Sequence, residues 1–174
     1  MQYENTPGAR GETPLTWPRD STIPFRRGQP VLVMFAHPRC PCTRASISEM
    51  NRLLARCENL SAHVLFIKPS STPTNWTETA SWKNAEAIPG VDVLVDPDGR
   101  EARRFGAESS GYVVVYDKVG QLLFHGGITG ARGLEGDNAG EELIAKFLSG
   151  EKPERASTPV FGCSLNDKCN DSSK

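Results

Sequence analysis

Short apolar runs and stretches with helical spacing alternate along the first half of the chain. Residues 31–36 and 64–67 are continuous apolar runs, which are typical of strands buried on both faces of a parallel sheet. Between them, residues 41–59 carry apolar side chains at helical spacing, and Pro41 suits the first position of a helix. This strand–helix–strand order predicts a right-handed parallel crossover.

The second half of the chain has the pattern of a third strand, a hairpin and a closing helix. The pattern predicts a helix at residues 77–87, a strand at 91–95, a short helix at 101–105 and hairpin strands at 112–116 and 121–125. Asn138 is expected to cap the final helix, with Glu141 three residues on as in a capping box. The order of elements is that of an α/β protein.

The predicted elements fall within one domain of residues 30–150. Residues 1–29 contain several prolines and glycines with little periodicity, and we expect an irregular lead-in that packs through Trp17 and Phe25. Residues 151–174 are polar apart from an apolar stretch inside the Thr-Pro-Val-Phe-Gly-Cys sequence of residues 158–163. We expect that stretch, with Phe161, to dock on the domain, because burying an aromatic side chain is favourable by roughly 2 kcal/mol.

Charge and hydropathy exclude several classes of partner. The 174 residues include 20 basic and 21 acidic side chains, for a net charge of −1, which gives no long-range field to hold nucleic acid or anionic lipid. The longest apolar run is far shorter than the roughly 20 residues of a membrane span, and the N-terminus does not resemble a signal peptide. We therefore expect a soluble monomer that binds no nucleic acid.

The cysteines are the strongest chemical signal in the sequence. They are Cys40, Cys42, Cys57, Cys163 and Cys169. With Pro41 in the first helical position, Cys40 would be the N-cap, facing unpaired N–H groups and the positive end of the helix dipole. Both effects favour the nucleophilic thiolate, and neighbouring Arg39 can add to them. Cys42 is close enough to attack a mixed disulfide on Cys40.

The order of elements and the cysteine loop together resemble the thioredoxin-like superfamily. More narrowly, residues 37–42 (His-Pro-Arg-Cys-Pro-Cys), 126–129 (Gly-Gly-Ile-Thr) and 158–163 are similar to motifs of the RedB-like proteins, a bacterial group of thioredoxin-like proteins. The similarity spans most of residues 15–165. It implies a three-layer α/β/α sandwich with a mixed central sheet, and a domain facing the periplasm behind an N-terminal anchor that the given chain lacks.

The leading functional hypothesis is a thiol–disulfide oxidoreductase that acts on protein thiols and disulfides without a cofactor. In this hypothesis, the Cys40 thiolate attacks a partner disulfide, and Cys42 or Cys163 resolves the mixed disulfide. The small, proline-stiffened Cys-Pro-Cys ring predicts a strained disulfide that is more oxidising than that of thioredoxin. For Cys163, a local disulfide with Cys169 is the alternative to a resolving role.

The sequence also departs from the thioredoxin pattern. The usual Trp-Cys-x-x-Cys is absent, and aligning the Pro-Cys of residues 41–42 on the familiar Pro-Cys puts Arg39 where the first cysteine belongs. Residues 109–112 read Ser-Ser-Gly-Tyr where thioredoxins place a cis-proline. These departures leave other classes of function open.

Two alternatives follow. A copper(I) or other soft-metal module would use Cys40 and Cys42 as thiolate ligands, with His37 or His125 completing the site. A peroxidase of the peroxiredoxin type keeps a threonine three residues before its reactive cysteine, where this chain has His37 or Arg39. Cys57, on the apolar face of the first helix, is expected to be a buried small hydrophobe.

Overall fold

A computed structural model describes residues 5–166 of the chain, and its elements follow the predicted order. They are β1 (Val31–Ala36), α1 (Thr43–Arg56), β2 (Ser61–Lys68), α2 (Ala80–Glu86), β3 (Val91–Pro97), α3 (Arg100–Arg104), β4 (Tyr112–Tyr116), β5 (Leu122–Gly126) and α4 (Ala139–Leu148). None of the helices in these residues is long and apolar enough to span a bilayer.

The strands form one mixed five-stranded sheet in the order β3-β2-β1-β4-β5. The pairs β1–β2 and β2–β3 are parallel, which confirms the predicted crossover. The pair β4–β5 is antiparallel, as the predicted hairpin requires, and the pair β1–β4 is antiparallel as well. Strand β1 lies at the centre of the sheet, and its carboxyl end leads directly into the Cys-Pro-Cys loop.

The sheet separates two hydrophobic cores. One face packs against α1, α2 and α4, and the other packs against α3 together with parts of the lead-in and the C-terminal chain. Alternate side chains of β1 enter the two cores, Met34 on the first side and Phe35 on the second. A strand buried on both faces explains the continuous apolar run. The predicted three-layer α/β/α sandwich is confirmed, with irregular chain completing the layer of α3.

The beginning of α1 differs from the sequence prediction. The helix begins at Thr43, and its N-cap is Cys42 rather than Cys40. The reason is a pair of tight turns after β1: the Cys40 N–H donates to the His37 carbonyl at 3.2 Å, and the Thr43 N–H donates to the Cys40 carbonyl at 3.1 Å. The positive end of the helix therefore lies at Cys42, and Cys40 lies before it.

Other helix ends also differ by a few residues. Helix α1 ends at Arg56 instead of residue 59, because Cys57 is extended. Helix α2 begins at Ala80 instead of residue 77, because Thr79 is an extended N-cap whose hydroxyl accepts the Trp82 N–H at 3.3 Å. A capping side chain fixes a helix start more firmly than an apolar pattern does.

The lead-in of residues 5–29 lacks helices and named strands, but it packs closely on the sheet. Trp17 stacks on Phe25, with ring centroids 4.9 Å apart, and meets Tyr116 edge-on at 5.3 Å. The backbone N–H of Trp17 also donates to the Gly120 carbonyl at 2.8 Å. These contacts bind the lead-in to the hairpin of β4 and β5.

Candidate functional site

Cys40 lies at the carboxyl end of β1, in contact with a cysteine from the far end of the chain. Its side chain is only 2% exposed, and its Sγ lies 2.9 Å from the Sγ of Cys163. The Cys163 thiol, hydrogen-bonded to Cys40, lowers the pKa of Cys40 to about 5, although burial opposes the shift. The backbone N–H groups of Cys163 and Cys42 and the hydroxyl of Thr43 lower it further. Cys40 is therefore a thiolate at neutral pH.

The C-terminal segment, residues 156–165, holds Cys163 in this position through main-chain hydrogen bonds. The Ser110 N–H donates to the Cys163 carbonyl at 2.8 Å, and the Leu165 N–H donates to the Glu108 carbonyl at 2.8 Å. At the other end of the segment, the Thr158 hydroxyl donates to the Gly127 carbonyl at 2.6 Å. These bonds attach the segment to the loop before β4 and to the end of β5.

Side-chain packing completes the docking of the C-terminal segment. Val160 and Leu165 are 1% and 3% exposed and belong to the core on the α3 side of the sheet. Phe161, which the sequence marked as the docking side chain, is only half-buried. Successive side chains of an extended chain point to opposite sides, so burying Val160 turns Phe161 outward. Gly162 lies so close to the loop before β4 that a Cβ there would overlap the Ser110 carbonyl oxygen.

Cys42 is half-buried and interacts with both Cys40 and Arg132. Burial raises the pKa of Cys42, and the negative charge of Cys40 raises it further, while the Arg132 guanidinium acts in the opposite direction. In the reduced protein, Cys42 is therefore the protonated member of the Cys-Pro-Cys pair. Its position at the N-terminal end of α1 also gives it the favourable end of the helix dipole.

Arg132 was not identified as a site residue from the sequence, because it stands far from Cys42 along the chain. It belongs to the loop between β5 and α4, which is fixed by the buried carboxylate of Glu49. Oε1 of Glu49 accepts the Gly136 N–H at 2.6 Å, and both carboxylate oxygens accept from Arg52 at 3.2 Å. Since Glu49 lies on α1, the loop that carries Arg132 is tied to the helix that carries Cys42.

Arg39 lies elsewhere than the sequence suggested. Its guanidinium carbon is 4.2 Å from the centroid of the Trp76 ring, a cation–π contact on the surface beside the cysteine loop. The groups with the largest influence on the Cys40 pKa are instead Cys163, Cys42 and Thr43.

The two histidines of the metal hypothesis are engaged in hydrogen bonds. His37 is buried, and its Nδ1 accepts the Arg39 N–H at 3.1 Å. The Nδ1 of His125 lies 2.9 Å from the Tyr112 hydroxyl, and burial lowers the pKa of His125. Within residues 5–166, no three His, Cys, Asp or Glu side chains are placed to hold a metal ion.

Of the two remaining cysteines, Cys57 falls within the described residues and is not part of this cluster. Cys57 is half-buried at the C-terminal end of α1, where it packs against the core and burial raises its pKa. Cys169, the proposed local partner of Cys163, lies outside the described residues. The arrangement therefore brings together Cys40, Cys42 and Cys163 and leaves Cys57 as a packing residue.

We expect Cys40 in the reduced protein to react with iodoacetamide with a midpoint near pH 5, because its pKa is lowered to about 5. Cys57 in the same sample is the control and should react only at alkaline pH, since burial raises its pKa. Peptide mass spectrometry after alkylation at a series of pH values resolves the two profiles. Equal alkaline midpoints would show that Cys40 is an ordinary thiol.

The same shift makes the stability of the reduced protein depend on pH. In the unfolded chain Cys40 titrates near 9.0, so between pH 5 and pH 9 the unfolded state binds more protons than the folded state. The stability supplied by the thiolate is therefore complete at about pH 9 and is lost as the pH falls towards 5. Urea unfolding with and without a Cys40 disulfide isolates this contribution, because a disulfide sulfur does not titrate.

Comparison with known proteins gives one family and several structural relatives. The sequence model of the AhpC/TSA family matches residues 19–123, more than half of the chain. No curated protein matches the sequence. A hypothetical protein from Sinorhizobium meliloti has 17% identity and a TM-score of 0.66, with 93% of this chain and 100% of that chain covered.

Two further solved structures are similar. A conserved protein from Geobacillus kaustophilus has 18% identity and a TM-score of 0.66, covering 97% of this chain and 94% of that one. A secreted disulfide oxidoreductase from Mycobacterium tuberculosis has 13% identity and a TM-score of 0.51, with 71% of this chain and 83% of that chain covered. At such identities, the relatives establish the fold alone.

Proposed function

The chain belongs to the AhpC/TSA family and has the thioredoxin-like α/β fold, and from this premise we propose that it is a thiol–disulfide oxidoreductase with Cys40 at the centre of its redox site. The observation that carries the proposal is the 2.9 Å separation of the Cys40 and Cys163 sulfurs at the carboxyl end of β1. Cys42 is the second neighbour of Cys40. An internal disulfide on Cys40 can therefore close with either cysteine.

The chemistry is an exchange of two electrons between this site and a protein partner. When a partner disulfide is reduced, two partner thiols form and two thiols of the site become a disulfide. The reverse exchange oxidises a partner dithiol. Neither direction needs a cofactor, because sulfur atoms carry the electrons throughout.

The charge state of Cys40 supports an oxidising site. A cysteine with a low pKa is a good leaving group, so disulfides that contain it are readily reduced. The Cys40 thiolate, with a pKa of about 5, stabilises the reduced site. We therefore propose a reduction potential above that of thioredoxin, which is about −270 mV.

The proposed setting is the bacterial cell envelope. The similarity of residues 37–42, 126–129 and 158–163 to the RedB-like proteins supports a domain that faces the periplasm. A structural relative from Mycobacterium tuberculosis is a secreted disulfide oxidoreductase, which is consistent with that setting. The partners we propose are protein dithiols and disulfides.

Peptide mapping of the oxidised protein tests the function. The full chain is purified without chelator, equilibrated in glutathione redox buffers, alkylated, and cleaved between Cys42 and Cys163. We expect Cys40 to be linked to Cys163 or Cys42, with a potential above that of thioredoxin, and Cys57→Ser to behave like the wild type. Stoichiometric copper bound to unreactive cysteines would contradict the proposed function. A Cys163 linked only to Cys169 at every potential would remove Cys163 from the redox site and leave the Cys40–Cys42 pair.

A further inference from the structure

The three clustered sulfurs differ in their access to a partner protein. Cys40 is 2% exposed and is in contact with the Cys163 sulfur. Its sulfur is therefore hidden from a partner cysteine unless the C-terminal segment moves away. Cys42 is half-buried at the start of α1 and faces Arg132.

We propose that Cys42 is the cysteine that exchanges disulfides with partner proteins, and that Cys40 and Cys163 form an internal disulfide that Cys42 opens and closes. This inference rests on the proposed oxidoreductase function and assigns separate roles to its three cysteines. It departs from the sequence hypothesis, in which Cys40 attacks the partner directly.

Cys163 is also half-buried, but its main chain is held on both sides. Its carbonyl accepts the Ser110 N–H at 2.8 Å, and the preceding Gly162 lies against the Ser110 carbonyl with no space for a Cβ. A mixed disulfide between Cys163 and a partner would require the Cys163 sulfur to turn away from Cys40 and to give up their 2.9 Å contact. The contacts of Cys163 therefore suit a sulfur that reacts with Cys40.

The charges around Cys42 couple its reactivity to the state of Cys40. In the reduced protein, burial and the Cys40 thiolate raise the pKa of Cys42, so the thiol predominates. A disulfide between Cys40 and Cys163 removes that negative charge. Burial still raises the pKa of Cys42, but Arg132 and the N-terminal end of α1 now oppose burial alone. The pKa of Cys42 therefore falls, and its thiolate fraction rises when there is an internal disulfide to attack.

The proposed cycle begins with an internal exchange. The Cys42 thiolate attacks the Cys40 sulfur; the Cys40–Cys42 bond forms, the Cys40–Cys163 bond breaks, and Cys163 leaves as a thiolate that takes a proton from water. No net oxidation occurs in this step. The disulfide has moved from the Cys40–Cys163 pair to the Cys40–Cys42 pair.

The partner then reacts at Cys42. A thiolate of a partner dithiol attacks the Cys42 sulfur, and Cys40 leaves as the thiolate that Cys163 stabilises. The second partner thiolate attacks the first partner sulfur and releases Cys42. The partner has become a disulfide, and its two electrons now reside in the Cys40 and Cys163 thiols. All steps run in reverse when a partner disulfide is reduced.

The test uses the oxidised full chain and a synthetic peptide with two cysteines in its reduced form. Cys42→Ser should keep the Cys40–Cys163 disulfide, as peptide mapping can verify, yet oxidise the peptide at least about 100-fold more slowly than the wild type. Cys163→Ser should still exchange through a Cys40–Cys42 disulfide. Cys57→Ser is the matched control and should keep the wild-type rate.

The outcomes separate this inference from the proposed function. A wild-type protein that never exchanges with the peptide overturns the oxidoreductase function itself. If Cys42→Ser exchanges with the peptide at the wild-type rate, the oxidoreductase function stands and the role of Cys42 is overturned. The same holds if only Cys163→Ser loses exchange with the peptide.

Alkylation of Cys42 in the oxidised protein tests the contribution of Arg132. Its midpoint should lie at lower pH than in the reduced protein, where the charge of Cys40 opposes the thiolate. Arg132→Met should shift the midpoint of the oxidised form to higher pH, and Arg132→Lys should restore it. An identical midpoint in both redox states contradicts the coupling between Cys40 and Cys42.

Discussion

Replacing Cys40 with serine is expected to lower the rate of disulfide exchange at least about 1000-fold, because removal of a reacting nucleophile typically has an effect of this size or larger. Cys40 is the cysteine that contacts both Cys163 and Cys42. Its loss therefore prevents either internal disulfide from forming. Turnover of a dithiol peptide by the full chain, with glutathione disulfide as the terminal oxidant, measures the effect.

The matched control for this substitution is Cys57→Ser, which changes a cysteine in the core beside α1. It should keep the exchange rate, although it loses some stability because a polar hydroxyl replaces a half-buried thiol. Circular dichroism and unfolding in urea establish that both variants fold. A Cys40→Ser protein that is folded and exchanges within tenfold of the wild type would remove Cys40 from the centre of the reaction.

Replacing Gly162 with alanine is expected to displace the C-terminal segment and to lower the stability of the reduced protein by about 1–3 kcal/mol, the usual cost of overpacking. The new Cβ would overlap the carbonyl oxygen of Ser110. The backbone of residue 162 fixes the position of this Cβ, and the Ser110 oxygen is main chain, so no side-chain rotation can relieve the overlap. Displacement also moves Cys163 away from Cys40.

Unfolding in urea measures the loss of stability, and peptide mapping of the oxidised protein measures the loss of the Cys40–Cys163 disulfide. The matched control is Gly130→Ala, where the nearest atom to a Cβ is a Leu134 side-chain carbon at an ordinary 3.7 Å. That variant should keep both the stability and the disulfide. If Gly162→Ala forms the Cys40–Cys163 disulfide as readily as Gly130→Ala does, the docking of the C-terminal segment does not determine the pairing.

Local patterns in the sequence were sufficient for most elements of the fold. The apolar run of β1 predicted a strand buried on both faces, and the structure confirms it. Asn138 was predicted to cap α4, and its side chain accepts the Glu141 N–H at 2.9 Å. The carboxylate of Glu141, however, pairs with Arg56 at 2.9 Å, an ion pair between two helices that no local pattern contains.

The start of α1 shows where local reasoning failed. A proline suits the first turn of a helix, and on that basis Pro41 was assigned to α1. The chain instead makes two turns after β1, through hydrogen bonds from Cys40 to His37 and from Thr43 to Cys40. The competing conformation is also local, so the choice depended on how the loop packs against its neighbours. The Thr43 hydroxyl, for example, lies 2.8 Å from the Ser110 hydroxyl.

The sequence by itself determined the order of the elements and placed the Cys-Pro-Cys loop at the end of the first strand, because both depend on residues that are neighbours along the chain. The sequence also suggested Cys163 as a partner of Cys40, through the docking of residues 158–163. Only the tertiary structure decided how the side chains around Cys40 and Cys42 are arranged. Cys163 and Arg132 reach them from distant segments. The segment of Cys163 is docked through main-chain hydrogen bonds and the burial of Val160. The loop of Arg132 is held by the carboxylate of Glu49. Such contacts form only when the whole domain packs, so neither spacing nor motif along the chain encodes their geometry.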